Sequence, residues 1–258
     1  MSAIDLTKKL VNFNTVSRDS NLPLIDYVAT YLDDFGIKSH RVESPDGKKS
    51  NLYASIGPEE PGGVVLSGHT DVVPTDGQDW HTDPFMPEIK DGNLLGRGTC
   101  DMKGFIGTAL SLVPEMNSLE KPIHFALSYD EEIGCKGAPS MIAEIVDKLP
   151  PPQAVIVGEP TGMKAITGHK GMVTLKTAVQ GHEAHSSQIH RGVSAVMTAA
   201  TLVTKLNAMT QELAAATDTA TGFEPHHSTI HVGIIRGGTA INIISRRCEF
   251  QWDIRCIP

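Results

Sequence analysis

The apolar positions Leu24, Ile25, Val28, Tyr31, Leu32 and Phe35 recur at helical spacing and stop at Gly36. This pattern predicts an amphipathic helix closed by a C-terminal glycine. Short apolar runs follow at Asn51 to Ile56, Gly63 to Leu66, Ile123 to Ser128 and Ala154 to Val157, with helical patterns at Gly104 to Leu112 and Gly137 to Leu149. Strand and helix alternate, so an α/β unit is expected. The strand runs are continuously apolar rather than alternating, which predicts a mostly parallel central sheet buried on both faces beneath helices.

After about Gly171 the texture changes. Met172 to Gln180 and Arg247 to Cys256 alternate, Val193 to Leu206 is helical, and Thr229 to Ile235 is strand-like. A smaller α+β unit over 171–258 is therefore expected to follow an α/β unit over 1–170. In the last strand Cys248, Phe250, Trp252, Ile254 and Cys256 share one face, and Glu249, Gln251, Asp253 and Arg255 share the other. The first reads as core and the second as wet.

A chain of 258 residues, 40% hydrophobic and 20% charged, can bury a core and lies near the size at which a second domain forms. Its 22 basic and 30 acidic residues leave a net charge of −8. That balance argues against nucleic acid or an anionic membrane as partner and favours a small substrate or a cation. No apolar run approaches the roughly 18 residues of a membrane helix. The opening MSAIDLTKKLVNF lacks the basic-then-apolar order of a signal peptide, so a cytoplasmic location is expected. Cys100, Cys135, Cys248 and Cys256 form no C-x-x-C pair and read as free thiols in a reducing compartment.

Open α/β sheets bind ligands beyond the carboxyl ends of their strands, so the residues following each apolar run carry the most information. His69 and Asp71 stand in SGHTDVVP, Asp101 in the turn GRGTCDMKG, Glu131 and Glu132 in DEEIGCKGA, and Glu159 in GEPT. The steps from His69 to Asp101, Asp101 to Glu131 and Glu132 to Glu159 are 32, 30 and 27 residues. Each is about one βα repeat, which predicts that these side chains sit side by side. One imidazole among several carboxylates suits a pair of zinc-like ions, because carboxylates bridge and their charge offsets two dications. A single acid after a strand is ordinarily a turn or capping residue, whereas acids at several successive strand ends point to a common site.

Other motifs carry less. The histidines of His182-Glu183-Ala184-His185 are three apart, so this is not the H-E-x-x-H of a zincin, and His182 reads as structural. His226, His227 and His231 read as a solvated cluster, and Trp80 and Phe85 as packing residues near the site. Gly96 and Gly98 lack a third glycine and a preceding strand, which excludes a dinucleotide site. Cys100 reads as a small buried thiol rather than a soft ligand.

In order and separation, SGHTDVVP, GRGTCDMKG, DEEIGCKGA and GEPT resemble the successive signature blocks of the M20 metallopeptidase and amidohydrolase family, along essentially the whole chain. The resemblance implies a zinc-peptidase-like catalytic domain, a smaller α+β lid and dimerisation domain, and hydrolysis of a small N-acyl amino acid. It also implies two zinc ions per complete site, with Co2+ able to substitute. His69, Asp101, Glu132 and Glu159 would bind metal, Asp101 bridging, while Asp71 orients the His69 ring and Glu131 acts as general base. In the lid, His185 would reach across a homodimer to the other subunit's site and help stabilise the oxyanion. Asn242 and Arg255 would bind substrate. Family members continue past the lid and return to the catalytic sheet with a late histidine, so this chain is expected to be a fragment of a longer enzyme. A non-catalytic metal-binding or dimerisation protein is the alternative from another class, and the intact Glu131 argues against it.

Overall fold

The computed structural model describes residues 1–216 and 221–258. It divides into two compact units, Met1–Met163 and Lys164–Pro258, a few residues before the change of texture at Gly171.

The first unit opens with helix α1 (Ala3–Val11), whose Ser2 and Asp5 cap one another reciprocally. Helix α2 (Leu22–Asp33) ends two residues before Phe35, the last position of its apolar pattern. There Ile37 N donates to the Leu32 carbonyl at 3.0 Å and Gly36 turns left-handed at φ +71°, the closure that glycine makes cheap. Strands β1 (Ser39–Glu43), β2 (Ser50–Ile56) and β3 (Val64–His69) follow, then the hairpin of β4 (Glu88–Lys90) and β5 (Asn93–Leu95), helix α3 (Lys103–Ser111), β6 (Ile123–Ser128), helix α4 (Ala138–Lys148) and β7 (Ala154–Val157).

The main sheet has the order β1-β2-β6-β3-β7. β6, β3 and β7 run parallel, whereas β1 and β2 add an antiparallel margin. One face packs Phe125 and Leu127 against Leu6, Leu10, Leu24, Val28, Ile106 and Leu110 from the first three helices. The other packs Tyr53, Val65 and Ala126 against Met141 of α4. The expected burial of every strand fails at β7, where Val155, Ile156 and Val157 are 55%, 50% and 56% exposed. As the terminal strand it has β3 on one side only, and α4 also leaves Ile142 and Val146 exposed.

The second unit contains β8 (Gly171–Gln180), β9 (Ala184–His185), helix α5 (Ala195–Ala215), β10 (Thr229–Gly237), β11 (Ile243–Ile244) and β12 (Arg247–Cys256). An antiparallel sheet of order β10-β12-β8 packs against α5, with Ala195, Ala199, Cys248 and Phe250 at the centre. The alternation in β12 has the expected consequence: Cys248 and Phe250 are buried, while Gln251 and Arg255 face water. The Ser194 hydroxyl caps α5 at Met197 N. All four cysteines are free, but Cys100 is exposed rather than buried, since it lies on the turn ahead of α3 and not inside an element. Among the described residues no helix is long and apolar enough to cross a membrane.

Candidate metal centre

The ends of β3, β6 and β7 and the turn before α3 each bring a donor to a common point. His69 closes β3 and is nearly fully buried, with Nδ1 2.9 Å from the Asp71 carbonyl oxygen. A carbonyl only accepts, so Nδ1 carries the proton and Nε2 faces the carboxylates. Nε2 stands 2.9 Å from Asp101 Oδ1, 3.8 Å from Glu159 Oε1 and 4.0 Å from Glu131 Oε2. Two triplets of donor atoms lie within 4.8 Å of one another, His69 with Glu131 and Glu159, and His69 with Asp101 and Glu132. The cluster thus brings together His69, Asp101, Glu131, Glu132 and Glu159, five of the six residues that stand at the strand ends and the glycine-rich turn.

Local structure explains how each arrives. Asp101 stands in the turn before α3, and Lys103 anchors that turn by donating from Nζ to the Phe13 carbonyl at 2.8 Å. Burial pushes the Lys103 amine down to about 7, against the pull of the Asp71 charge. Glu131 and Glu132 follow β6 after Asp130, whose φ is +56°. The Glu131 carbonyl accepts from Gly134 N and Cys135 N, closing a tight turn. Glu159 follows β7, where Gly158 packs so closely that a Cβ would lie 2.0 Å from the Phe105 ring. Only glycine fits there.

The Asp71 carboxylate faces both the His69 ring and the glutamate turn. Its Oδ1 is 3.6 Å from His69 Nδ1, while the two oxygens accept from Glu131 N at 3.1 Å and Glu132 N at 3.3 Å. Asp71 therefore hydrogen-bonds the imidazole through its main chain, while its carboxylate lies near the ring and holds the glutamate turn.

Negative charge is crowded here. Burial raises the Glu132 carboxyl above its ordinary range, and Asp101, Glu131 and Asp71 add to the rise. Burial likewise raises Glu159; the His69 ring opposes this, and Asp101 and Glu131 reinforce it. Carboxylates compressed around one imidazole nitrogen form a donor set that two divalent cations would relieve. The residues present fit such a pair.

Three further residues around the cluster escaped the sequence pattern: Ser17, Lys49 and Asp130. Ser17 Oγ donates to Asp71 Oδ2 at 2.6 Å, and Lys49 Nζ meets Asp130 Oδ1 at 2.5 Å. Neither contact has a periodic signal, because the partners come from distant loops.

In the second unit, β9 and β11 pair His185 with Ile243, and the Asn242 carbonyl accepts from Ser186 N at 2.9 Å. His185 and Asn242 are thus neighbours. Arg255 is not brought to them; it pairs with Met172 and Thr229, eight positions along β12 from Arg247. Its Nε donates to Asp253 Oδ2 at 3.0 Å.

This fold and strand-end cluster define a class. The chain belongs to the M20 peptidase family: the family described as peptidase family M20/M25/M40 matches residues 65–253. Particular relatives narrow the comparison. The chain is 35% identical over 255 residues to an acetylornithine deacetylase of Myxococcus xanthus, covering 97% of this chain and 66% of that protein. It is 36% identical over 242 residues to an acetylornithine deacetylase of Pasteurella multocida, covering 93% and 62%. It therefore spans just under two thirds of the length of these curated relatives. Among solved structures, the M20 family metallo-carboxypeptidase Sso-CP2 from Sulfolobus solfataricus superposes with a TM-score of 0.80 at 19% identity, covering 100% of this chain and 72% of that one. The YXEP protein of Bacillus subtilis, a dinuclear metal binding peptidase of the same family, gives 0.60 at 16% identity, covering 99% and 64%.

Proposed function

We propose that the polypeptide carrying this chain hydrolyses N2-acetyl-L-ornithine to L-ornithine and acetate, as an acetylornithine deacetylase of arginine biosynthesis. The observation that carries the chemistry is the convergence of Asp101, Glu131, Glu132 and Glu159 on His69. The identity of 35% and 36% to acetylornithine deacetylases supports the choice of substrate.

His69, Asp101, Glu132 and Glu159 would hold two zinc ions, for which Co2+ can substitute. When bound, such ions polarise the amide carbonyl and acidify a water. Glu131 would take a proton from the attacking water as its oxygen bonds to the acetyl carbon, and would then deliver it to the ornithine nitrogen as the C–N bond breaks. Asp71 keeps Glu131 and Glu132 in register by accepting both their amides. In the second unit, Arg255 receives the substrate α-carboxylate in a charge-assisted pair, while His185 and Asn242 help stabilise the oxyanion and bind substrate. These two lie beyond one end of β8, whereas Arg255 faces Met172 at the other. That separation supports a homodimer in which the second units of two subunits share the work.

The test is a substrate panel on the polypeptide supplied with Zn2+ or Co2+. Fastest turnover is expected on N2-acetyl-L-ornithine. A preference for N-succinyl-diaminopimelate or for N-acyl amino acids with apolar side chains would move the assignment to a desuccinylase or an aminoacylase. Metal uptake without turnover of any N-acyl amino acid would favour a binding protein.

A further inference from the structure

A closed ring of hydrogen bonds and main chain ties Asp71 and the Glu131–Glu132 turn to Ser17, Lys49 and Asp130, three residues that the chemistry above does not use. Ser17, between α1 and α2, is 4% exposed. Val72 N donates to the Thr15 carbonyl and Ser17 N to the Val72 carbonyl, which lays this segment beside Asp71. The Ser17 hydroxyl donates to Asp71 Oδ2 at 2.6 Å, and the Ser17 carbonyl accepts from Lys49 Nζ at 2.5 Å. Lys49 also donates to Asp130 Oδ1 at 2.5 Å. The chain then passes from Asp130 into Glu131 and Glu132, whose amides return the ring to Asp71 at 3.1 and 3.3 Å.

Ser17 and Asp71 are buried, and the Lys49 and Asp130 side chains are only 15% and 12% exposed. In such surroundings a broken polar contact strands a charge or a donor, so the ring holds one arrangement. Asp130 sits at φ +56°, a left-handed conformation that a residue with a Cβ seldom adopts, and Lys49 pins its side chain there. Both ends of the glutamate turn are tied to the one residue, Ser17.

We propose that Ser17 and Lys49 are positioning residues. Acting through Asp71 and Asp130, they aim the Glu131–Glu132 turn so that its carboxylates meet His69 in the geometry two metal ions require. The proposal rests on reading the cluster as a metal centre, and the experiment separates the two. Metal-free full chain is titrated with Co2+ and followed by visible absorption and by calorimetry, for the wild type and for Ser17→Ala, Ser17→Thr and Lys49→Met. The wild type is expected to take up Co2+ with a low-coordinate visible spectrum. Ser17→Ala and Lys49→Met should bind about 10–100-fold more weakly, the scale typical of partners one shell out from a metal, with an altered spectrum, and Ser17→Thr should recover both affinity and spectrum. Should Lys49→Met fail to fold, the single hydroxyl removed in Ser17→Ala still decides the matter. Wild-type affinity and an unchanged spectrum in Ser17→Ala would overturn the positioning role while leaving the metal centre intact. A wild-type chain that takes up no Co2+ would overturn the metal centre and this role with it.

Discussion

Nε2 of His69 stands 2.9 Å from Oδ1 of Asp101, so a carboxylate engages the ring nitrogen that faces the centre. Burial disfavours the charged ring, yet the Asp71 and Asp101 carboxylates outweigh it and hold the His69 pKa above the ordinary 6.5. A metal at Nε2 must displace the second proton, which the charged ring carries there, so zinc binding should release protons and weaken as the pH falls below the raised value. Calorimetry in buffers of different ionisation enthalpy reads the released proton directly. Equal affinity at about pH 6 and about pH 8 would contradict this assignment of His69.

Both donor triplets contain His69, but a single Nε2 can ligate only one ion. The second ion is left with carboxylates alone, which bind zinc less well than a set containing imidazole. Two sites of unequal strength are expected on titrating the metal-free chain. Two equally tight zinc ions would show that the ligands are divided differently.

Glu131→Gln preserves the shape of the side chain and deletes the base. Metal content should hold while turnover of N2-acetyl-L-ornithine falls by about 10²–10⁴, the usual scale for a lost general base. Glu131 also lies in the triplet with His69 and Glu159, so metal analysis of the variant matters as much as its rate. Loss of an ion would make Glu131 a ligand and reverse the roles of the two adjacent glutamates.

Arg255 is exposed on the wet face of β12, and its Nε is held by Asp253 at 3.0 Å, which leaves the outer guanidinium nitrogens to meet a carboxylate. Arg255→Ala should lower kcat/KM by an amount equivalent to about 1.5–3 kcal/mol, the range for a hydrogen bond to a charged group. The methyl ester of the substrate should be similarly poor with the unaltered protein. Equal rates on acid and ester would remove Arg255 from the substrate contact.

His124 on β6 is 1% exposed, and neither ring nitrogen has a hydrogen-bond partner among the described residues. Burial lowers its pKa below the ordinary 6.5. The unfolded chain therefore binds the proton first as pH falls. The stability owed to neutral His124 is full above about 6.5 and is lost as the pH drops through the folded-state value. His124→Leu should flatten the pH dependence of urea unfolding between about pH 7.5 and about pH 5. An identical slope in both proteins would show that His124 does not titrate on unfolding.

Much of the site was legible before folding, and particular residues show why. His69, Asp101, Glu131, Glu132 and Glu159 each follow an apolar run or a glycine-rich turn, and the period of a strand and the residues that end it are local properties of the chain. The alternation that set Phe250 inward and Arg255 outward is local in the same way. The exposure of β7 was not legible, because Ala154 to Val157 reads the same whether one neighbour lies beside it or two. Nor was the exposure of Cys100, which depends on where the turn before α3 falls.

The amino-acid sequence by itself determined the α/β pattern, the α+β unit after it, and the donors that gather at the strand ends, since each rests on spacing within a few turns of chain. The tertiary structure alone decided what those donors rest on. Ser17 meets Asp71 across 54 residues, and Lys49 meets Asp130 across 81, separations over which no periodicity survives. The same closure brought the Asp71 carboxylate to the amides of Glu131 and Glu132 and the Asp71 carbonyl to the His69 ring. Which oxygen faces which donor depends on how the ends of β3 and β6 come to lie beside the α1–α2 segment, and only the folded chain brings them together.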